Sequence, residues 1–107
     1  LLTNDEVIEI NQDPLGKQAT SLQTIGDLRI YVKELEDGSK AVGFCNFGQE
    51  IVNLSYKDFE KIGLSGKYTV RDVWRQKDVS TLETKTGEIA LKVPAHGVVL
   101  YKLSFIK

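Results

Sequence analysis

The stretch Gly97–Ile106, Gly-Val-Val-Leu-Tyr-Lys-Leu-Ser-Phe-Ile, limits what this chain can fold into more than any other. Successive side chains of an extended strand point to opposite faces, so residues two apart share a face. Val99, Tyr101, Leu103 and Phe105 then form one wholly apolar face. Val98 and Leu100, followed by Lys102 and Ser104, form the other. A strand that is apolar on both sides at its start and on one side later is partly covered by two layers. This predicts an interior strand of a sandwich, not a sheet edge.

The same period of two recurs upstream. Ile25–Leu35 reads as a strand with Leu28, Ile30 and Val32 on one face and Arg29, Tyr31 and Lys33 on the other. Asp37-Gly38 marks a hairpin turn, because both residues tolerate positive φ. In Lys40–Phe47, Val42 and Phe44 oppose Ala41, Gly43 and Cys45, and the small residues of that second face suggest close approach of another layer. Ile51–Tyr56 aligns Val52, Leu54 and Tyr56. Lys57–Gly66 reads as a loop with one helical turn around Phe59 and Ile62. Lys67–Trp74 is a strand whose apolar face, Tyr68, Val70 and Trp74, is interrupted by Asp72, the mark of a bulge or bend. Arg75–Ser80 reads as a charged connection and Thr81–Lys85 as a short edge strand. Glu88–Val93 alternates cleanly, with Ile89, Leu91 and Val93 together, and Pro94-Ala95-His96-Gly97 turns tightly into the last strand. The expected fold is an all-β antiparallel β-sandwich of Greek-key type with six to eight strands.

The beginning of the chain differs. Leu1–Gly16 has helical spacing of Val7, Ile8 and Ile10. Thr3 and Glu6 have capping-box spacing, and Pro14 provides a stop. One short N-terminal helix is expected over 1–17, then a polar linker over Lys17–Thr24, with the sandwich occupying 18–107. A helix this short with an apolar stripe is marginal alone in water. It needs a surface, supplied by the sandwich, by an upstream domain or by self-association. The sequence contains no methionine and opens on Leu1-Leu2, which suggests a piece of something longer.

Composition excludes several function classes. Fourteen Lys plus Arg against fifteen Asp plus Glu leave a net charge of −1, unlike the basic surface of a nucleic-acid reader. No apolar run approaches the roughly 18 residues of a membrane helix. The single cysteine, Cys45, cannot form an intrachain disulfide, and its apolar neighbours suggest a buried, inert thiol. One His and one Cys are too few to anchor a zinc site without several carboxylates, and no phosphate-binding glycine loop or nucleophile elbow is present. No metal, cofactor or catalytic residue is therefore assigned. His96 has no Ser, Cys or carboxylate partner at a diagnostic spacing and is expected to serve its turn. Arg71-Asp72-Val73-Trp74 is the most chemically loaded stretch. Trp74, with Tyr68 or Tyr56, suits stacking under a sugar ring. The better reading is that this tryptophan anchors a core or a domain interface, with Arg71 and Asp72 paired nearby.

Two stretches resemble one enzyme family. Leu1–Lys17, containing Ile-Asn-Gln-Asp-Pro-Leu-Gly, resembles the segment that closes the catalytic barrel of glycoside hydrolase family 27, the α-galactosidases or melibiases. Arg71–Trp74 through Val93-Pro94-Ala95-His96-Gly97-Val98-Val99-Leu100 resembles the C-terminal antiparallel domain of those enzymes. The resemblance implies a non-catalytic C-terminal domain that steadies a (β/α)₈ barrel. Two barrel aspartates, upstream of Leu1, would cleave terminal α-galactosides with retention. It implies the barrel as partner, carbohydrate only through the parent, and a secreted or periplasmic location. The alternatives are a carbohydrate-binding module and a structural or adhesion sandwich of the immunoglobulin type, whose Cys…Trp…Cys pattern is absent.

Overall fold

The computed structural model describes residues 20–106. The expected helix over 1–17 lies outside the described residues. Among the described residues eight strands form two antiparallel sheets: β1 (Thr20–Ile25), β2 (Leu28–Glu34), β3 (Lys40–Asn46), β4 (Val52–Tyr56), β5 (Lys67–Asp72), β6 (Lys77–Glu83), β7 (Ile89–Val93) and β8 (Val98–Phe105). Six of them make one sheet in the order β1-β2-β3-β8-β5-β6, and β4 pairs with β7 in the other. The sandwich expected from the alternation is therefore present, and β8 lies inside the larger sheet between β3 and β5.

The apolar faces meet between the sheets. Leu28, Ile30 and Val32 from β2, Val42 and Phe44 from β3, Tyr68 and Val70 from β5 and Leu103 from β8 face Tyr56 from β4 and Ile89, Leu91 and Val93 from β7. Phe44 packs edge-on against Tyr56 at 5.4 Å between ring centres, and Tyr56 against Phe59 at 5.2 Å. Each such side chain contributes about 1.5–3 kcal/mol by leaving water. The helical turn expected near Phe59 is a 3-10 turn, Phe59–Ile62, which plugs Phe59 and Ile62 into this core.

Several boundaries differ from the sequence expectation. Thr20–Ile25 is a strand rather than part of a linker. The run from Ile25 to Leu35 breaks at Gly26-Asp27, where Ile25 pairs with Leu28. Gly26 takes φ +57, the left-handed conformation that a two-residue hairpin loop demands. β6 starts at Lys77, within the stretch expected to be a charged connection. Its polar residues are tolerated because it is an exposed edge strand. The bulge expected near Asp72 is a register shift between Val70 and Arg71. Phe105 ends β8 past the cover of the second sheet and is 55% exposed, resting edge-on against Tyr68.

Candidate functional site

The inner face of the large sheet is consumed by the core, so any site must be sought on the outer face, at the edges or in surface grooves. On the outer face the registers align three rungs across β2, β3, β8 and β5. Arg29, Cys45 and Val98 form the first, and Tyr31, Gly43 and Leu100 the second. Lys33, Ala41, Lys102 and Arg71 form the third. An antiparallel sheet packed on one side alone normally turns polar residues outward. The third rung obeys at Lys33, Lys102 and Arg71, and the first only at Arg29. Lys102 pairs with Asp37 at 3.2 Å and Arg71 with Asp78 at 3.1 Å.

The first two rungs are largely apolar. Val98 is 46% exposed and Phe47, the residue that follows β3, is 54% exposed. The Arg29 guanidinium lies 4.8 Å from the Phe47 ring centre, a cation–π contact at the rim. Tyr31, Gly43, Cys45 and Leu100 are half-buried. Beside them Leu100 packs on a small outer cluster of Leu35, Ala41 and Val73, folded over the sheet by the β2–β3 and β5–β6 connections. Cys45 is a free thiol on this outer face, not a fully buried one, and its partial burial pushes its pKa up. From sequence alone, the flanking Phe44 and Phe47 place it in the interior. Phe44, however, faces the opposite side and Phe47 faces solvent.

The other singled-out residues do not assemble into a site. Trp74 is half-buried on the turn between β5 and β6, whereas Tyr56 and Tyr68, its proposed companions under a sugar, are buried in the core. Arg71 and Asp72 do not pair, because consecutive strand residues face opposite ways. Arg71 reaches Asp78 and the Gln76 carbonyl, and Asp72 accepts from the Arg75 amide. Tyr101 opposes Asp72, and burial with that carboxylate raises its pKa, partly offset by Arg75. His96 is exposed at φ +57 in its turn. Among the described residues no three His, Cys, Asp or Glu side chains cluster as metal ligands. A surface groove of about 310 Å³ is lined by Thr20, Leu22, Val32, Glu34, Lys40, Ile62 and Gly63. Among its lining residues the one carboxylate is Glu34, ion-paired with Lys40 at 3.6 Å.

Sequence reasoning passed over one residue that joins the two sheets. Asn46, buried at the end of β3, donates from Nδ2 to the Glu50 carbonyl at 2.8 Å and to the β7 carbonyl of Val93 at 3.1 Å. Its Oδ1 accepts from the Gly48 amide at 2.9 Å. Two carbonyls and one amide N–H around it fit a single amide orientation. A lone polar residue at the end of an apolar run was the only sequence signal.

Comparison with known proteins supplies the context of this scaffold. Residues 25–103 match the family described as the alpha galactosidase C-terminal beta sandwich domain. Alpha-galactosidase A of Cellvibrio japonicus is 36% identical over 97% of this chain, which covers 28% of that protein. The alpha-galactosidase of Coffea arabica is 34% identical over 97% of this chain, which covers 27% of it. The chain thus spans about a quarter of the length of these relatives. The crystal structure of alpha-galactosidase I from Mortierella vinacea superimposes with a TM-score of 0.84 at 29% identity. It covers 95% of this chain, which matches 27% of that protein. The chain therefore belongs to the family of alpha-galactosidase C-terminal β-sandwich domains.

Proposed function

We propose that this chain is the non-catalytic C-terminal domain of an α-galactosidase-like glycoside hydrolase and that it stabilises a catalytic barrel preceding it. In this reading the barrel hydrolyses terminal α-galactosides with retention, using aspartates outside this sequence, and residues 1–17 form the end of the barrel. The observation that carries the reading is sequence identity above 30% along nearly all of this chain to enzymes about four times its length. The match to a family of C-terminal domains agrees with it.

Trp74 then serves as a contact residue at the domain boundary rather than as a sugar platform. The burial of Tyr56 and Tyr68 supports this, because a platform needs several exposed aromatic faces. The test uses the purified 107-residue chain and an aryl α-galactoside. No hydrolysis is expected, while the longer polypeptide carrying this domain hydrolyses the same compound. Turnover by the chain alone overturns the assignment. Trp74 is the sole tryptophan, so its fluorescence during titration with galactose reports directly on sugar stacking. It is expected to stay unchanged up to millimolar sugar.

A further inference from the structure

We propose that Asn53, in the tripeptide Asn53-Leu54-Ser55 on β4, is the acceptor for an N-linked oligosaccharide: where this chain is exported past an oligosaccharyl transferase, Asn53 is the residue of the 107 that is modified. The site is independent of the function proposed above, since it needs neither a catalytic barrel nor a galactoside.

The first observation is the spacing. The chain has four asparagines, Asn4, Asn11, Asn46 and Asn53, and only Asn53 is followed two positions later by Ser or Thr across a residue other than Pro. The second is where the fold puts that tripeptide. Asn53 and Ser55 alternate with Val52, Leu54 and Tyr56, so the amide and the hydroxyl share the outward face of β4, and both residues are exposed. The register sets them opposite Lys92 and Ala90 of β7, which are exposed too. This small face is open and free of large apolar side chains, so it has room for a bulky, solvated group. The third is the contrast with Asn46, which is buried and commits its amide to Glu50, Val93 and Gly48. Asparagine is disfavoured in strands, and at position 46 those bonds compensate. Asn53 has its amide in solvent instead.

The step is a glycosyl transfer. The donor is an oligosaccharide joined through its anomeric carbon to a polyprenyl pyrophosphate. Asn53 Nδ2 bonds to that carbon and loses one proton to a base of the transferase. The carbon–oxygen bond to the pyrophosphate breaks, and the pyrophosphate leaves with the electron pair. No oxidant or reductant is required. The Ser55 hydroxyl is the other half of the recognised tripeptide, so its loss blocks transfer with Asn53 intact. In the folded domain the sugar projects away from the core, because Val52, Leu54 and Tyr56 occupy the opposite side of the strand. The strand pairing of β4 with β7 uses backbone groups and is left as it is.

The experiment expresses the longer polypeptide carrying this domain behind a secretion leader in a eukaryotic host, and maps the secreted protein by mass spectrometry. Trypsin releases residues 41–57 as one peptide that contains Asn53. That peptide is expected to carry N-acetylhexosamine and hexose, and a peptide N-glycosidase is expected to remove them and leave aspartate at position 53. Ser55→Ala and Asn53→Gln are each expected to abolish the sugar, and Ser55→Thr to raise the glycosylated fraction. These exposed positions tolerate such changes without loss of the fold. A synthetic peptide spanning residues 49–57, given to purified transferase with a lipid-linked oligosaccharide, reads acceptance without secretion and decides the matter if no variant is secreted. A secreted protein that is bare at Asn53 in both the parent and Ser55→Thr overturns the proposal, even if the peptide is modified. So does a peptide that accepts no sugar, or sugar that persists in Ser55→Ala.

Discussion

Removing the Asn46 side chain tests how the two sheets are held in register. Asn46→Ala deletes three hydrogen bonds at once. The bonds to Val93 O and from Gly48 N are buried, so their partners are left without water. Each stranded group costs about 1–3 kcal/mol. The Glu50 carbonyl is only partly buried, and water replaces its lost donor at little cost. The expected loss is about 2–4 kcal/mol, which in a domain of this size lowers the melting temperature by roughly 10–25 °C. Asn46→Asp adds a pH signature. A carboxylate there confronts two carbonyl oxygens in a buried site, so its folded-state pKa lies above the unfolded value of about 3.9. A raised pKa contributes stability below the unfolded value that is lost as pH rises toward the folded one. The stability of Asn46→Asp relative to the parent chain should therefore fall steadily as pH increases from about 4. Urea unfolding of parent, Ala and Asp variants at several pH values measures both effects. An Ala variant within about 1 kcal/mol of the parent, or an Asp variant with the parent's pH profile, refutes the reasoning.

Two further outcomes follow from burial. Leu103→Ala empties a site that is 1% exposed at the centre of the core and should cost about 2–5 kcal/mol by denaturant unfolding; a loss below 1 kcal/mol would mean that β8 is not an interior strand. Tyr56 and Tyr101 both have raised pKa values, with burial as the largest cause and nearby Asp58 and Asp72 adding to it. Their stabilising contribution is complete below the ordinary tyrosine pKa of about 10 and is lost as pH rises beyond it. Phenolate absorbance of these two residues should appear together with loss of the β-sheet circular dichroism signal, and Tyr56→Phe should remove one phenolate from that transition.

Much of the architecture was legible because alternation is a local signal. The inward sets Leu28–Ile30–Val32, Val42–Phe44 and Ile89–Leu91–Val93 follow from period two alone, and the structure buries each of them. The turn at Gly26-Asp27 was missed because apolar residues continue on both sides of it. A hairpin loop of two residues interrupts a hydrophobic run without lowering its average. The strand at Thr20–Ile25 was missed for the opposite reason. Its side chains are mostly exposed, and an edge strand is held by backbone hydrogen bonds, which no side-chain pattern records. Trp74 drew attention through its chemistry, yet its expected companions, Tyr56 and Tyr68, carry inward-facing positions. Their burial follows from the same alternation that defined the strands.

By itself the sequence determined the antiparallel sandwich class, which side of the interior strands is apolar, and that the chain carries few residue types suited to catalysis. These properties depend on neighbours two or three positions apart. The tertiary structure alone decided that β8 lies between β3 and β5, that Asn46 clips β3 to β7, and that Arg29, Cys45 and Val98 form one rung. Those facts depend on strand pairings between residues far apart along the chain. Such pairings are chosen by whole-sheet burial and hydrogen-bond satisfaction, which no short window of residues contains.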